Sequence, residues 1–319
     1  MDRIAVILST YNGMEFVKTQ IDSILNQKDA EPVIYVRDDG STDGTVDFLK
    51  NYAEQHENIV FVNPEQVENM GVMKSFMTLL KKVVVEHPEF SYFAFADQDD
   101  YWMEDKLSTA IASIRENTVS EKKPMLYYSN KVFADRDLNI IREENIPHYG
   151  DILEAASICR AQGCTQVLNR AMAEIAVSPI PVKQKYHDSY IYRLALSIGA
   201  GIVFDKIPHM LYRQHNNVFG MKVLEGTKLK WSTMRHILNP GKVKKEFQNA
   251  SHWAGDIMEE IRDLHEEELS ETGREYIIYL TTYYKNFSSF LHLVFCKMAR
   301  KRGLKSWCFW VWNLIIGNI

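Results

Sequence analysis

The chain has few cysteines and no charge excess of the kind that nucleic-acid-binding proteins carry. Its 319 residues include four cysteines, none of them in a C-x-x-C pair, so neither a zinc site nor a disulfide framework is indicated. Reduced cytosolic thiols are the expectation. The formal net charge of −5 gives no case for nucleic-acid binding. Internal repeats and low-complexity linkers are also absent, and the length allows one large domain with an appendage.

Common nucleotide-binding and targeting signals are missing as well. The sequence contains no G-x-G-x-x-G motif and no P-loop, which disfavours dinucleotide cofactors and ATP-type phosphate cradles. The apolar run at residues 4–8 is too short for a signal peptide, and it predicts the first strand of a fold. The apolar run at residues 307–316 is shorter than the roughly 20 residues that a membrane span needs.

What the chain does contain is a regular alternation of strand and helix patterns in its first half. Helical spacing of apolar residues occurs at residues 15–26, 44–55 and 71–85. Short apolar runs predict strands between them, at residues 4–9, 33–37, 59–63 and 93–96. This alternation predicts an α/β fold with a mostly parallel sheet flanked by helices. Ligands bind such sheets beyond the carboxyl ends of the strands.

Three polar clusters follow predicted strands at those ends: residues 9–13, 38–44 and 97–100. In the third cluster, crowding of Asp97, Asp99 and Asp100 is costly unless a cation or hydrogen-bond donors neutralise them. Asp97 and Asp99 could converge on one hard cation, and Mg²⁺ commonly joins one or two carboxylates to substrate phosphates. The alternative is a solvated acidic turn before a helix that starts near Met103. Convergence of the clusters favours a metal and nucleotide-diphosphate site.

The first two polar clusters could bind the base of a nucleotide. Tyr11 could stack on it, while Ser9 and Thr10 offer hydroxyls and backbone donors. A carboxylate in the second cluster, Asp38 or Asp39, could accept a hydrogen bond from the ring N–H of uracil or thymine. The same cluster also suits the start of a helix, because Ser41, Thr42 and Asp43 are good N-cap residues. Both roles can hold together.

In this order, residues 9–13 (STYNG), 37–45 (RDDGSTDGT) and 97–102 (DQDDYW) resemble family 2 glycosyltransferases of the GT-A fold, in the bacterial rhamnosyltransferase-like branch. Residues 69–72 fit the same pattern, and the resemblance covers about residues 1–220. It implies a nucleotide-diphospho-sugar donor, a divalent cation (Mn²⁺ or Mg²⁺) and inversion at the anomeric carbon.

The resemblance also implies roles for single residues. Ser9, Tyr11 and Asp39 correspond to base-side contacts, and Asp97 and Asp99 to the pair that faces ribose, diphosphate and metal. Lys74 lies where the family often has a polar residue in contact with the donor. Asp100, by contrast, is expected to be a carboxylate at a helix N-terminus, where the helix dipole favours it.

The second part of the domain should supply the acceptor side. Residues 125–133 predict a strand, and Gly163 lies in a loop that enters another; in the resembled fold such a glycine lets backbone approach the sugar. An ordinary turn glycine is the alternative. Asp188 matches the family's acidic motif, which makes it the candidate base for the acceptor hydroxyl. Its alternative role is a helix N-cap.

Residues 210–218 resemble the family's late Tyr-Arg-x-His segment, whose histidine approaches the metal or diphosphate. His215 is therefore the candidate third metal ligand, and its imidazole suits Mn²⁺ better than Mg²⁺. Arg213 or Gln214 could meet phosphate or acceptor. The predicted catalytic domain, residues 1–220, ends after this segment.

Residues 221–319 predict a helical C-terminal region, with an acidic helix at 252–268 and an aromatic helical pattern at 275–296. Its basic tail precedes a tryptophan-rich run at 307–316, which fits an interfacial anchor on an anionic leaflet. We therefore expect a cytoplasmic protein, peripheral on the inner face of the cell membrane. The alternative is that the tryptophans pack on the core or on a second subunit of a homo-oligomer.

The resulting hypothesis is an inverting, metal-dependent glycosyltransferase. It would move a sugar, L-rhamnose as a first guess, from a dTDP or UDP donor to a polysaccharide or lipid-linked glycan. Two rival functions stay open at this point. A sugar-phosphate nucleotidyltransferase has a similar sheet, but it typically carries a Gly-rich activating loop that residues 9–13 lack. A non-catalytic nucleotide-sugar-binding module is the other.

Overall fold

The computed structural model of the protein describes residues 1–65, 68–145, 148–157, 159–215 and 253–316. The chain folds into two compact units. The first contains residues 1–146, 161–195 and 200–216, and the second contains residues 147–160, 196–199 and 217–319. The predicted domain boundary at 220/221, and the part of the histidine segment from residue 216 onward, lie outside the described residues.

The first unit is built on a seven-stranded sheet of order β10-β6-β9-β4-β1-β2-β3. All its pairings are parallel except those of β9, which runs antiparallel to β4 and β6. The predicted α/β class with a mostly parallel sheet is therefore confirmed. The strands are β1 (Asp2–Thr10), β2 (Ala30–Asp38), β3 (Ile59–Phe61), β4 (Tyr92–Ala96), β6 (Met125–Ser129), β9 (Val167–Asn169) and β10 (Gly201–Asp205).

Helices cover this sheet, and their apolar stripes explain why the central strands are apolar on both faces. Every residue of β4 is buried, as are residues 4–8 of β1. The helices are α1 (Val17–Leu25), α2 (Thr45–Gln55), α3 (Val72–Glu86), α4 (Lys106–Asn117), α6 (Arg170–Ala176) and α7 (His187–Ser197), while α5 (Ile152–Ser157) belongs to the second unit.

A second, four-stranded sheet corrects two sequence predictions. It has the order β5-β11-β7-β8, formed by β5 (Tyr101–Trp102), β7 (Val132–Ala134), β8 (Ile140–Glu143) and β11 (Met210–Arg213). The single strand predicted at 125–133 is in fact two, because β7 leaves the main sheet to pair with β11. The helix predicted from Met103 begins only at Lys106, because the chain first pairs with β11 as β5.

The sheet brings the three polar clusters to one edge. Strand β1 lies between β2 and β4, so the strand order reverses there, and such a reversal is where open sheets bind ligands. Thr10 at the end of β1 pairs with Asp38 at the end of β2. On the other side, Leu8 of β1 pairs with Ala96 at the end of β4. The loops that follow these three parallel strands therefore leave the sheet on the same side.

The second unit is helical in the residues that the structure describes. Its helices are α5 (Ile152–Ser157), α8 (Trp253–His265), α9 (Glu271–Thr282), α10 (Phe287–Phe295), α11 (Lys297–Arg300) and α12 (Leu304–Ile316). The aromatic segment predicted at 275–296 is divided between α9 and α10. The division comes at Asn286, whose side chain accepts a hydrogen bond from Ser288 N at 2.9 Å and caps α10.

Tryptophans of the C-terminal tail pack inside this unit. Trp310 is 2% exposed, and its indole N–H donates to Leu293 O at 2.9 Å. Trp307 donates similarly to Val294 O at 2.8 Å. These contacts are what the packing alternative requires, and attachment of the tail to a membrane stays a prediction. Over the described ranges, each helix is too short or too polar to cross a bilayer.

Candidate active site

Asp38 organises the loop that follows β2. Its Oδ1 accepts hydrogen bonds from Gly40 N at 3.0 Å and Ser41 N at 2.7 Å. Its Oδ2 accepts from the Thr10 hydroxyl at 2.8 Å and the Ser41 hydroxyl at 2.5 Å. The Asp38 carboxylate is therefore fully used inside the protein. The Thr10 hydroxyl, predicted to be offered to a nucleotide, is instead buried against Asp38. Of the two carboxylates considered for contact with the nucleotide base, Asp38 and Asp39, this leaves Asp39.

Asp39 joins the end of β2 to the start of α3. Arg37 Nη1 donates to its Oδ1 at 2.6 Å, and both side chains are almost fully buried. The carboxylate also accepts from Met70 N at 2.8 Å and Gly71 N at 2.9 Å. Gly71 has φ +77°, a left-handed conformation that favours glycine. Oδ2 receives only the Gly71 bond among the described contacts, so it keeps acceptor capacity for a ligand N–H.

The Arg37 side chain extends this network to β1. Its Nη1 also donates to Ser75 Oγ at 2.8 Å, and Ser75 lies 2.6 Å from the Ser9 hydroxyl. Its Nη2 donates to Glu68 O at 3.1 Å. A buried arginine needs such partners. An arginine within a predicted strand is the signal that could have singled out Arg37 in the sequence. Lys74 lies one position before Ser75 on α3 and is exposed.

Gln98 ties the first polar cluster to the third. Its Oε1 accepts from Tyr11 N at 2.8 Å and its Nε2 donates to Tyr11 O at 2.9 Å. A Cβ on Gly13 would lie 2.2 Å from the same Oε1, so a larger residue there would displace the end of the Gln98 side chain. The two bonds with Gln98 fix the backbone of Tyr11, while the residue stays 52% exposed, which leaves its ring open to stacking. Sequence reasoning missed Gln98, because its partner is 87 residues away.

The third cluster crowds carboxylates in a poorly solvated place. Burial, followed by the charges of Asp99 and Asp188, raises the pKa of Asp97 to about 7. Burial together with Asp99 and Asp97 also raises the pKa of Asp100 well above its usual range. Both shifts show that the protein leaves much of this negative charge uncompensated. A bound cation would supply the missing compensation, so the electrostatics fit a metal site.

Asp100 does not serve as the helix N-terminal carboxylate that we predicted. Helix α4 begins six residues later at Lys106, with Asp105 at its N-cap. Asp100 is buried instead, and its Oδ1 accepts from Arg213 N at 3.2 Å on β11. Its Oδ2 has no hydrogen-bond partner among the described residues. The β5 pairing explains the error, because it keeps the chain extended where the sequence suggested a helix start.

A buried thiol lies beside these carboxylates. The ligand atoms of Asp97, Asp100 and Cys164 all lie within 4.8 Å of one another, which makes them a geometric metal candidate. Burial raises the pKa of the Cys164 thiol well above its usual range, with Asp100 and Asp97 adding to the shift. A neutral thiol is a poor ligand, and hard cations such as Mg²⁺ and Mn²⁺ prefer oxygen. Cys164 therefore does not suit the predicted metal.

The predicted histidine ligand does reach the acidic cluster. His215 lies two residues after the end of strand β11, and its Nε2 is 2.7 Å from Asp99 Oδ2. Its ring packs at 4.8 Å from the ring of Phe16, just before α1. Asp99 in turn acts electrostatically on Asp97. Two carboxylates with one imidazole are donor types suited to Mn²⁺. Among the described residues, the group whose ligand atoms lie within 4.8 Å of one another is Asp97, Asp100 and Cys164, so joint ligation by Asp97, Asp99 and His215 stays a prediction.

Arg213 stabilises the acidic turn from the backbone side. Its Nε donates to Asp99 O at 2.7 Å, and its Nη1 donates to Arg136 O. The guanidinium also lies 4.6 Å above the ring of Phe16. Its Nη2 is buried with no partner among the described residues. The observed contacts thus position the turn, and a contact of Arg213 with phosphate stays a prediction.

Asp188 is held at the N-terminus of α7, next to the loop that contains Gly163. Its Oδ1 accepts from Ser189 N at 2.6 Å, and its Oδ2 accepts from Gly163 N at 3.3 Å. Gln166 donates to the Asp188 backbone oxygen at 3.0 Å. The charge of Asp188 contributes to the raised pKa of Asp97, so the candidate catalytic base lies within electrostatic range of the acidic cluster. The N-terminal position and the base role remain compatible.

His187 explains why residue 163 is a glycine. A Cβ at Gly163 would lie 2.4 Å from His187 Nε2. The imidazole is buried between Phe76, at 4.0 Å between ring centroids, and Phe95, at 4.9 Å. Burial lowers the pKa of His187 to about 4, so the ring is neutral near neutral pH. The close approach of His187 is enough to explain the glycine at position 163. A contact of Gly163 with the sugar donor stays a prediction.

Comparison with known proteins decides the family. The model of the family "Glycosyl transferase family 2" matches residues 5–173, which contain the three polar clusters. The chain belongs to this family. It is 30% identical over 220 residues to dTDP-rhamnosyl transferase RfbG of Shigella flexneri, and the match covers 66% of this chain and 72% of the relative.

Solved structures agree on the fold of this glycosyltransferase. TarS of S. aureus, crystallised with UDP-GlcNAc, matches with a TM-score of 0.57 and 15% identity over 97% of this chain and 78% of TarS. The mannosyltransferase PcManGT from Pyrobaculum calidifontis, in complex with GDP-Man and Mn²⁺, matches with a TM-score of 0.52 and 15% identity, covering 99% and 85%. The predicted family, fold and glycosyltransferase class are confirmed, against the two rival functions.

Proposed function

We propose that this glycosyltransferase moves L-rhamnose from a dTDP donor to a polysaccharide or lipid-linked glycan, with inversion at the anomeric carbon. The observation that carries the proposal is the acidic cluster at the reversal of strand order, in which Asp99 contacts His215 and Asp97 lies within electrostatic range of Asp188. The similarity to a dTDP-rhamnosyl transferase supports the choice of sugar and nucleotide. UDP is the alternative nucleotide.

The nucleotide base of the donor would bind at the first two polar clusters. The exposed Tyr11 ring would stack on the pyrimidine, and the acceptor capacity of Asp39 Oδ2 would take the ring N–H. Thymine and uracil share that N–H, so Asp39 alone does not separate dTDP from UDP. Ser9, linked to Asp39 through Ser75 and Arg37, would lie beside it, and Lys74 would approach the donor from α3.

Asp97, Asp99 and His215 would hold the divalent cation, Mn²⁺ by the preference of imidazole. When bound, the cation neutralises charge that develops on the diphosphate leaving group. The acceptor hydroxyl attacks the anomeric carbon from the side opposite the diphosphate. Asp188 accepts the hydroxyl proton as the new C–O bond forms, and dTDP leaves with the electrons of the broken bond. The dipole of α7 favours the ionised carboxylate that this step needs.

Donor and metal binding can be tested without knowing the acceptor. The melting temperature of the full chain is measured with a panel of dTDP- and UDP-sugars, each with Mn²⁺ and with EDTA. Because a ligand that binds the folded state stabilises it, we expect dTDP-L-rhamnose to give the largest increase, and only with Mn²⁺. Equal increases with EDTA would reject the metal site. A larger increase with a UDP-sugar would reject the dTDP assignment.

The catalytic assignment is tested with carboxylate-to-amide variants. We expect Asp188→Asn to reduce the turnover of the sugar donor at least about a hundredfold. The metal-dependent increase in melting temperature with the donor should be kept. Asp99→Asn should lose that increase as well as turnover. Asp47→Asn, an exposed change in the first turn of α2, serves as the matched control and should leave both readouts unchanged. Near-normal turnover by the Asp188 variant would reject it as the base.

A further inference from the structure

Helix α10 carries an apolar stripe on the surface of the second unit. Phe287, Leu291 and Phe295 recur every four residues and therefore lie on one face of the helix. They are 72%, 38% and 53% exposed. Phe295 also lies 6.3 Å from the ring of Trp307, between centroids, so the stripe continues toward α12. Clustered exposure of large apolar side chains usually indicates an interaction surface.

The chain segment that carries the α10 stripe has Lys and Arg but no acidic residue. From residue 276 to residue 319 the sequence contains no Asp or Glu and has six basic residues: Lys285, Lys297, Arg300, Lys301, Arg302 and Lys305. Arg302 is buried and pairs with Asp151 at 2.6 Å. By contrast, Lys285, Lys297, Arg300 and Lys301 are exposed. Lys285 precedes the stripe in the chain, and the other three follow it directly in and after α11.

We propose that the α10 stripe and these four exposed cations form a docking surface for an anionic lipid bilayer. Aromatic and aliphatic side chains beside Lys and Arg are the composition that places a helix in the interfacial region. Each basic residue near an anionic surface contributes about a fivefold increase in binding. The stripe is better placed for this contact than Trp307 and Trp310 of the tail, because Trp310 is buried and the indole N–H groups of both are bonded inside the unit.

Charge also distinguishes the bilayer from a second copy of the chain. A symmetric dimer through this face would bring the same patch of each copy together. The exposed cations would then oppose one another with no acidic residue in the same segment to separate them, which is unfavourable. An anionic bilayer satisfies both the apolar stripe and the cations.

The test is flotation of the full chain with two kinds of vesicle, phosphatidylcholine alone and phosphatidylcholine with phosphatidylglycerol. We expect binding to the anionic vesicles only, decreasing as salt is added. The charge variant Lys285→Gln/Lys297→Gln/Lys301→Gln should bind about a hundredfold more weakly. The stripe variant Phe287→Ser/Leu291→Ser/Phe295→Ser should lose at least about tenfold in binding.

Matched controls come from the first unit. Lys50→Gln/Lys81→Gln/Lys122→Gln removes the same charge from exposed positions. Ile140→Ser/Ile141→Ser removes exposed apolar side chains from β8, where they are 67% and 57% exposed. Both controls should bind anionic vesicles like the parent chain. Circular dichroism checks folding, and Phe287→Ser alone, at the most exposed stripe position, replaces the triple variant if that one unfolds.

Several results would overturn the proposal. One is the absence of binding to anionic vesicles, and another is equal binding to neutral ones. Controls that weaken binding as much as the stripe and charge variants would also overturn it. If the parent chain is a dimer in sedimentation, does not float, and the stripe variant is a monomer, the stripe is a self-association surface instead. None of these readouts depends on catalytic activity, so they stand apart from the proposed transfer reaction.

Discussion

Loss of Arg37 should destabilise the protein far more than loss of an arginine from an exposed ion pair. The Arg37 and Asp39 side chains are only 5% and 6% exposed, and their N···O distance is 2.6 Å. In Arg37→Met the Asp39 carboxylate stays buried, bonded to the amides of Met70 and Gly71 but without its cation. Breaking a buried pair in this way typically costs about 3–5 kcal/mol.

A double-mutant cycle measures the pair itself. Asp39→Asn keeps one acceptor oxygen but replaces the other with an NH₂ group, so it should also be destabilising. We expect Arg37→Met/Asp39→Asn to lose less stability than the sum of the single variants. The coupling should be about 2–3 kcal/mol, since contacting buried groups reach the upper end of measured values.

The assay is urea-induced unfolding followed by circular dichroism, with the same cycle at Arg115 and Asp2 as the control. That pair is equally close, at 2.5 Å, but its side chains are 54% and 35% exposed. Its coupling should stay below about 1 kcal/mol because solvent screens it. Faster amide hydrogen exchange at Met70 and Gly71 in Asp39→Asn would locate the damage. A buried-pair coupling no larger than that of the control would refute the reasoning.

Three further predictions concern packing and protonation. Gly13→Ala should displace Gln98 and raise the donor KM by about tenfold with a smaller change in kcat, measured by steady-state kinetics. Gly273→Ala places a Cβ 1.8 Å from Ser197 O, and urea unfolding should show a loss of roughly 1–3 kcal/mol. His187 has a folded pKa of about 4, so stability should fall by up to about 3 kcal/mol from pH 6.5 to pH 4 as the unfolded chain binds the proton first. The His187→Phe variant should lack that part of the loss.

Each of these has its own contrary outcome. Gly303→Ala, which meets no atom within 4 Å, is the control for Gly273→Ala, and equal losses would show that backbone freedom rather than the contact matters. Parallel pH–stability curves for the parent chain and His187→Phe would exclude His187 as the titrating group. An unchanged donor KM in Gly13→Ala would separate Gln98 from donor binding.

Local patterns were sufficient for the first four strands of the main sheet and for its polar edge. Each of the first four strands is an apolar run bounded by turn residues, and each intervening helix shows its own spacing, so neighbouring residues carry the whole signal. The carboxyl ends of parallel strands must meet at one edge, so the clusters at 9–13, 38–44 and 97–100 could be placed together without coordinates. These motifs were also enough to indicate the family.

Predictions that depended on distant pairing failed. Residues 125–133 have one continuous strand pattern, but β7 pairs with β11, some 79 residues away, in a different sheet. Asp100 precedes a good helix sequence, yet the pairing of β5 with β11 delays α4 until Lys106. A local pattern cannot reveal which strand will arrive from elsewhere in the chain.

The sequence by itself determined the order of the first four strands and the three helices between them, the fold class and the edge at which the site lies, because these follow from periodicity and from the geometry of parallel strands. Only the tertiary structure decided which polar side chains remain available to a ligand. Thr10 and Asp38 satisfy each other, Arg213 holds the acidic turn across 114 residues, and Gln98 joins Tyr11 across 87. Hydrogen-bond capacity is a property of three-dimensional neighbours, so it could not be read from residue type and spacing.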